Sequence, residues 1–228
     1  MAAPTKHAKR WIWFLDVVFG AIVALGIETY EPVVREAWLQ GAGPFALSVF
    51  VAIAIFSFVV YDIAAYHKLA NTFPYCLTSL GFIRFYLDLV MAFTLYILLV
   101  NALNPHPDWA AILITVSFWH VAAVAWHLLA LKEHGAVGSM VSAVCPHVLF
   151  IGIYWASVLL ADALGTKVFE LDSATLSVFK LVVVSATILV VSIVRWNQVV
   201  RKNGAQSPVR TRPQRANPAS PPAPETSP

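Results

Sequence analysis

Residues 45–66 read FALSVFVAIAIFSFVVYDIAAY and contain a single charged residue, Asp62. An α-helix rises 1.5 Å per residue, so about 20 such residues cross the hydrocarbon core of a bilayer. A buried β-strand is much shorter than this run. The stretch therefore predicts a membrane-spanning helix.

Similar apolar stretches recur along the chain, separated by segments rich in glycine, proline and charged residues. They predict six spanning helices, at roughly 11–29, 45–66, 80–102, 109–131, 138–161 and 173–196. Of the 228 residues, 59% are hydrophobic and 12% are charged, and the mean hydropathy is +0.73. Because soluble domains contain about 25% charged residues, we predict an all-α, polytopic integral membrane protein and exclude a soluble globular domain.

The basic residues predict how these helices are oriented, since Lys and Arg accumulate at the cytoplasmic ends of spans. With the N-terminus inside, the outer side holds only Arg35 and Lys167. The cytoplasmic side then holds Lys6, Lys9, Arg10, Lys68, Lys132, Arg201, Lys202, Arg210, Arg212 and Arg215. Both termini are therefore expected in the cytoplasm, and a bacterial inner membrane and a eukaryotic organelle membrane are both compatible with the pattern.

The chain divides into two regions of different composition. Residues 1–196 contain all six predicted helices and are expected to form the transmembrane domain. Residues 197–228 are rich in proline and basic residues, which predicts a disordered cytoplasmic tail. The basic residues that follow the last span are expected to lie on anionic headgroups of the lipid bilayer.

Charged residues inside the predicted spans need partners or functions, because each costs roughly 2.5–3.5 kcal/mol on insertion scales. Asp16, Asp62 and Asp88 lie in the cytoplasmic halves of helices 1, 2 and 3, and Arg84 precedes Asp88 by one helical turn. We predict that Arg10, Asp16, Asp62, Arg84 and Asp88 form an inner layer of ion pairs. Such a layer would hold these helices together, form the polar floor of a water-filled pathway, or do both.

Helix 1 also carries a candidate pore face. Ala21, Leu25 and Glu28 follow one another at positions i, i+4 and i+7, so they share one side of the helix. If that side lines a pore, Ala21 and Leu25 form an apolar constriction and Glu28 forms an outer ring of negative charge.

Three histidines are predicted to lie within the membrane. His120 and His127 are seven residues apart on one face of helix 4, and His147 lies on helix 5. They are expected to form hydrogen bonds between helices, to relay protons, or to ligate a b-type haem. Lys180 on helix 6 is expected to reach outward to water or to pair with Asp162 or Asp172.

The sequence contains no motif of a common enzyme class, such as a Walker A loop, H-E-x-x-H or G-x-S-x-G. We therefore expect no catalysis, no resident cofactor and no metal site. The net charge is only +3, without a basic groove or motif, so no nucleic-acid partner is expected. Cys76 and Cys145 lie far apart and predict no disulfide framework.

The start of helix 1 contains a further pattern. Residues 10–20 read RWIWFLDVVFG, and Arg10, Phe14 and Asp16 match the spacing of R-x-x-x-F-S-D. This segment resembles the first helix of the transmembrane-protein-175 family of potassium channels. The end of helix 2, residues 66–69 (YHKL), is similar to the aromatic and histidine-rich end of that family's second helix. Six spans, cytoplasmic termini and the chain length also resemble its prokaryotic members.

The resemblance implies a homotetramer in which helix 1 lines the pore and apolar constrictions on helix 1 set the selectivity. It implies structural roles for Arg10 and Asp16. The chain departs from the family at Leu15, at Ala21 and at Glu28, where the family has a serine, a constricting isoleucine and a pore-facing leucine. We therefore predict a passive, potassium-like cation pathway. The alternatives are a membrane scaffold or accessory subunit, and a protein that handles protons or electrons.

Overall fold

The computed structural model describes residues 6–135 and 140–204, which form six helices. They are α1 (Lys6–Gln40), α2 (Ala42–Thr72), α3 (Ser79–Ala102), α4 (Trp109–Glu133), α5 (Met140–Lys167) and α6 (Ser173–Gly204). Each helix is long and apolar enough to cross a membrane, and the described residues contain no strand. The predicted fold class is therefore confirmed, and the chain is a multi-pass membrane protein.

The first helix is much longer than predicted. Its predicted end at residue 29, shortly before Pro32, lies inside α1, which continues to Gln40. Proline removes one backbone hydrogen bond, but spanning helices tolerate this loss, and the residues that follow include strong helix formers. The helix ends only before Gly41, whose φ of 119° is one that residues with side chains rarely adopt.

The last helix also extends beyond its predicted end. α6 continues to Gly204, so the first residues of the predicted tail, from position 197 onward, are helical. The rest of that tail, residues 205–228, lies outside the described part of the chain, and its disorder stays a prediction.

Five of the helices form a closed bundle. α3 packs against α4, α4 against α5, α5 against α6 and α6 against α2, and contacts between α2 and α3 complete the ring. Within residues 6–135 and 140–204, α1 packs only against α2 and α3. It does so through Leu15, Phe19 and Ile22, which are buried. The opposite side of α1 is therefore left uncovered by the subunit.

Aspartates cap the starts of two helices. Asp108 accepts a hydrogen bond of 2.9 Å from the backbone N–H of Ala110 at the start of α4. Asp172 accepts bonds from the backbone N–H and the hydroxyl of Thr175 at the start of α6. These bonds, the backbone bond first, lower the pKa of Asp172, which keeps the cap ionised.

Gly81 lies where the loop between α2 and α3 passes close to the first turn of α3. Its N–H donates to Oγ1 of Thr78, the N-cap, at 3.0 Å. A Cβ at this position would lie 2.0 Å from the backbone oxygen of Cys76. Because a backbone atom cannot rotate away, Gly81→Ala is expected to lower the free energy of unfolding by about 1–3 kcal/mol.

Equilibrium unfolding in mixed detergent micelles measures this effect. Gly152→Ala on α5 is the matched control, because a Cβ there would meet nothing within 4 Å. It is expected to leave stability unchanged or to raise it, since alanine favours the helix. Equal stabilities of the two variants would contradict the close approach at Gly81.

Candidate functional site

The predicted pore face of α1 is exposed on the surface of the subunit. Ala21, Leu25 and Glu28 are all exposed, and 48% of the Leu25 surface is accessible. Gly26, on the other side of the helix, is buried, and a Cβ there would lie 3.0 Å from Leu99 of α3. The three predicted residues thus share the side of α1 that faces away from its own bundle, and their role in a pore stays a prediction.

Arg84 is fully buried near the start of α3. Its guanidinium donates to a carboxylate oxygen of Glu133, at the end of α4, and to the carbonyl oxygen of Phe73 at 2.7 Å. It also lies 4.9 and 4.5 Å from the ring centroids of Tyr75 and Trp126. A charge removed from water needs such partners, so Arg84 ties the loop between α2 and α3 to α4.

Asp88, one turn further along α3, is also fully buried. Its carboxylate accepts hydrogen bonds from the Tyr75 hydroxyl and from Nε1 of Trp126, the second at 3.1 Å. The Tyr75 hydroxyl lies 3.2 Å from that of Tyr66 on α2. Burial, together with the Asp88 carboxylate, raises the pKa of Tyr75 and keeps its hydroxyl protonated as a donor.

These contacts show which partners the buried members of the predicted inner layer have. Arg84 pairs with Glu133 rather than with Asp88, although the spacing of Arg84 and Asp88 puts them on one face of α3. Asp62, which is 3% exposed, lies 3.3 Å from the guanidinium of Arg195 on α6. The physical reason is that α4 and α6 pack against α3 and α2 and supply partners that are distant in the chain.

The two members of the predicted layer on α1 are less buried. Asp16 lies 3.2 Å from Nε2 of His67 on α2, and both side chains are partly exposed. Arg10 is exposed near the N-terminal end of α1. The layer therefore consists of separate pairs, which connect α1 to α2, α2 to α6 and α3 to α4, rather than a single cluster of helices 1, 2 and 3.

The three predicted histidines meet between α4 and α5. Nδ1 of His120 lies 3.0 Å from Nδ1 of His147, and the rings of His127 and His147 have centroids 5.1 Å apart. Nδ1 of His127 lies 2.7 Å from the carbonyl oxygen of Ala123, so this nitrogen carries the proton and donates. The direct contact between His120 and His147 is a hydrogen bond between helices and leaves no gap for a haem iron between these two rings.

A cavity of about 260 Å³ lies beside these histidines. Aromatic and charged side chains line it, including Tyr61, Tyr66, Trp119, Trp126, Phe150, Asp62, Arg195, His127 and His147. The lining reaches Leu69, near the end of α2, and Ser142, near the start of α5, so the cavity extends towards that end of the bundle. It lies within the five-helix bundle and is separate from the exposed side of α1.

At the other end of the bundle, Lys180 of α6 pairs with Asp162 of α5 and lies 4.9 Å from the ring centroid of Trp109. Of the two alternatives expected for Lys180, the structure shows pairing with an acid, and the partner is Asp162. Asp172, the other candidate, caps α6 instead.

Four partners of the buried charged residues Asp62, Arg84 and Asp88 were not among the predicted site residues. They are Tyr75, Trp126, Glu133 and Arg195. Glu133 and Arg195 both lie near the ends of helices predicted to be cytoplasmic. Matching the depth of charges across all six helices, rather than the first three, would have identified both residues as partners. Tyr75 and Trp126 have no comparable signal, because their roles depend on the path of a loop and on the rotation of α4.

No protein-family model matches the chain, and neither a curated protein nor a solved structure matches it significantly.

Proposed function

We propose that this chain is the subunit of an oligomeric, passive pathway for monovalent cations, lined by the exposed side of α1. The observation that carries the proposal is the exposure of Ala21, Leu25 and Glu28 on a helix long enough to cross a membrane. Among the described residues, no other helix covers this side. Further copies of the chain would cover it and enclose a space between them.

The position of Glu28 supports water, rather than lipid, next to this side of α1. A carboxylate in hydrocarbon costs roughly 2.5–3.5 kcal/mol on insertion scales. Glu28 directly follows the apolar run of residues 17–27 in α1, at the edge of the predicted span, and it takes part in none of the ion pairs found in the described residues. Water in a pathway between copies would solvate the carboxylate without this cost.

The side chains on this face suggest how the pathway would work. Pro32 leaves the backbone carbonyl of Glu28 without its helical partner. The carbonyls around Ala21 and Leu25 are engaged in helical hydrogen bonds, so they are not free to replace the water around an ion. Cations would therefore pass with most of their hydration shell. Ala21 and Leu25 would form an apolar constriction that closes by losing its water, and Glu28 would concentrate cations at one entrance.

The resemblance of residues 10–20 to the transmembrane-protein-175 family supports a tetramer with α1 at its centre. The structure adds a firm anchor for the start of this helix. The Trp11 ring lies 5.7, 5.2 and 5.1 Å from the ring centroids of Tyr75, Phe82 and Phe85. Through Tyr75, α1 is connected to the buried network around Asp88, and the pair of Asp16 with His67 connects it to α2. Asp16 would thus hold the pore helix in place rather than bind the ion.

Potassium influx into liposomes that contain the purified protein tests this proposal. Glu28→Gln is expected to lower the influx by roughly tenfold at low ionic strength, because the charge that concentrates cations is lost. The difference is expected to shrink as salt is added, since salt screens exposed charges.

Glu170→Gln is the matched control, because Glu170 is also exposed but lies between α5 and α6. Potassium influx into liposomes that contain Glu170→Gln is expected to equal that of the wild type. Equal influx in Glu28→Gln would exclude Glu28 from the pathway. A folded oligomer that conducts no better than empty liposomes would favour the scaffold alternative.

A second candidate function, proton transfer, is favoured by the direct contact between His120 and His147. The cavity, which is lined mainly by apolar side chains but also by Asp62 and Arg195, extends from His147 towards one end of the bundle. A pH-sensitive dye in the same liposomes separates the two candidates. A proton pathway would lose its flux in His147→Leu, whereas a cation pathway along α1 would keep its potassium flux. A purified protein without a Soret band would remove the haem alternative.

A further inference from the structure

Three side chains with metal-binding atoms meet at the end of the bundle where α2 and α4 end. They are Cys76, in the loop between α2 and α3, Glu133, the last residue of α4, and His134, which follows it. One ligand atom from each lies within 4.8 Å of the other two, and Cys76 and Glu133 are half-buried. In residues 6–135 and 140–204, no other group of three His, Cys, Asp or Glu residues meets this condition.

Several contacts hold the two segments that bring these side chains together. The Thr78 hydroxyl donates to Oε1 of Glu133 at 2.6 Å, and Arg84 donates to the other carboxylate oxygen. Nε2 of His134 lies 3.1 Å from the carbonyl oxygen of Pro74, in the same loop as Cys76. The loop and the end of α4 are thus positioned against each other before any ligand binds.

We propose that Cys76, Glu133 and His134 form a Zn²⁺ site that links the loop between α2 and α3 to the end of α4. A thiolate, an imidazole and a carboxylate are the three ligand types that zinc uses in proteins, and water would supply the fourth position. This site is separate from the exposed side of α1 and does not depend on the proposed cation pathway.

The geometry needs only small side-chain movements to accept the ion. Zinc–ligand bonds of about 2.0–2.3 Å in a tetrahedron place the ligand atoms roughly 3.5 Å apart. The three atoms are already within 4.8 Å of one another, and rotation of the Cys76 and His134 side chains would close the difference. Hydrogen bonds from Arg84 and Thr78 to Glu133, and the contact of His134 with the Pro74 carbonyl, would hold these ligands in orientation.

Zinc binding would change the charge of this group by one unit. A cysteine thiol is largely protonated at neutral pH, so the ion must displace its proton. As the bond between sulfur and zinc forms, the thiol proton is released to water. The thiolate and the Glu133 carboxylate offset the two charges of the ion, and the Arg84 guanidinium, which keeps its bond to the Phe73 carbonyl, leaves the group with one net positive charge.

Titration of the full chain with Co²⁺ in detergent micelles tests the proposal, because Co²⁺ reports its ligands by absorption. We expect one ion per subunit, a charge-transfer band from thiolate to Co²⁺, and loss of that band when Zn²⁺ is added. Cys76→Ser is expected to remove the band, and His134→Ala to weaken binding at least about tenfold. Cys145→Ser is the control, because Cys145 is exposed on α5 and belongs to no such group.

A second readout covers the case in which these variants fold poorly. In the Cys145→Ser background, Zn²⁺ is expected to slow the alkylation of Cys76 by maleimide. Co²⁺ binding without a thiolate band, binding that persists in Cys76→Ser, or alkylation at the same rate with and without Zn²⁺ would each overturn the site.

Discussion

Ala21→Phe is expected to abolish potassium influx into liposomes. Ala21 is exposed on the side of α1 that faces away from the bundle. In the proposed oligomer, residue 21 of every copy faces the same axis. Each copy of the variant would therefore add a phenyl ring to the apolar constriction of the pathway. A narrower and more apolar constriction expels its water and blocks hydrated cations. Influx is therefore expected to fall to the level of empty liposomes.

Ala156→Phe is the matched control for this variant. Ala156 is an exposed alanine on α5, so the same change adds the same volume at a surface position of another helix. Neither substitution overpacks the core, so both variants are expected to keep the elution volume and the unfolding midpoint of the wild type. Wild-type influx in Ala21→Phe, or equal loss of influx in both variants, would contradict a pathway along α1.

Glu133→Leu is expected to lower the free energy of unfolding by about 3–5 kcal/mol. The substitution leaves the Arg84 guanidinium buried, with the carbonyl oxygen of Phe73 as its hydrogen-bond acceptor and with two aromatic rings and the Asp88 carboxylate nearby. Removal of one member of a buried ion pair costs more than the pair itself contributes, because the other charge remains out of water. Equilibrium unfolding in mixed detergent micelles measures the loss.

The double variant Arg84→Met/Glu133→Leu separates this cause from a general loss of packing. It removes both charges and replaces them with apolar side chains, so most of the lost stability is expected to return. If the double variant is as unstable as Glu133→Leu, the loss comes from packing or from the Thr78 hydrogen bond. A single variant within about 1 kcal/mol of the wild type would mean that water reaches Arg84.

The number of helices and their approximate positions could be predicted, because a run of about 20 apolar residues is typical of a membrane-spanning helix. The ends of the helices could not be predicted as well. Pro32 suggested the end of the first helix, but the surrounding residues favour helix strongly enough for α1 to continue to Gln40. A local signal of this kind carries less weight than the propensity of the whole segment.

The buried polar contacts divide in the same way. The meeting of His120 with His147 and the pairing of Lys180 with Asp162 could be anticipated, because helices that follow one another in sequence tend to be neighbours in space. The partner of Arg84 could not be anticipated, because Asp88, four positions further along the same helix, was an equally plausible partner from sequence. The choice of Glu133 instead depends on the rotation of α3 and α4 about their axes, which only tertiary packing determines.

The group of Cys76, Glu133 and His134 was also beyond prediction from sequence. The spacing from Cys76 to Glu133 matches no zinc motif, because the two segments approach each other only after α3 and α4 have packed. The expectation of no metal site was based on motif spacing alone. It therefore could not anticipate a group of metal-binding side chains that only the fold brings together.

The accessibility of position 21 to a water-soluble thiol reagent tests the proposed pathway most directly. The variant is Ala21→Cys with Cys76→Ser and Cys145→Ser, reconstituted in liposomes and treated with a cationic methanethiosulfonate from the aqueous phase. We predict rapid modification and loss of potassium influx, whereas Ala156→Cys in the same background stays unmodified, because thiolate does not form in lipid. A folded oligomer in which the thiol introduced at position 21 does not react, or reacts without any change in influx, would contradict a water-filled pathway along α1.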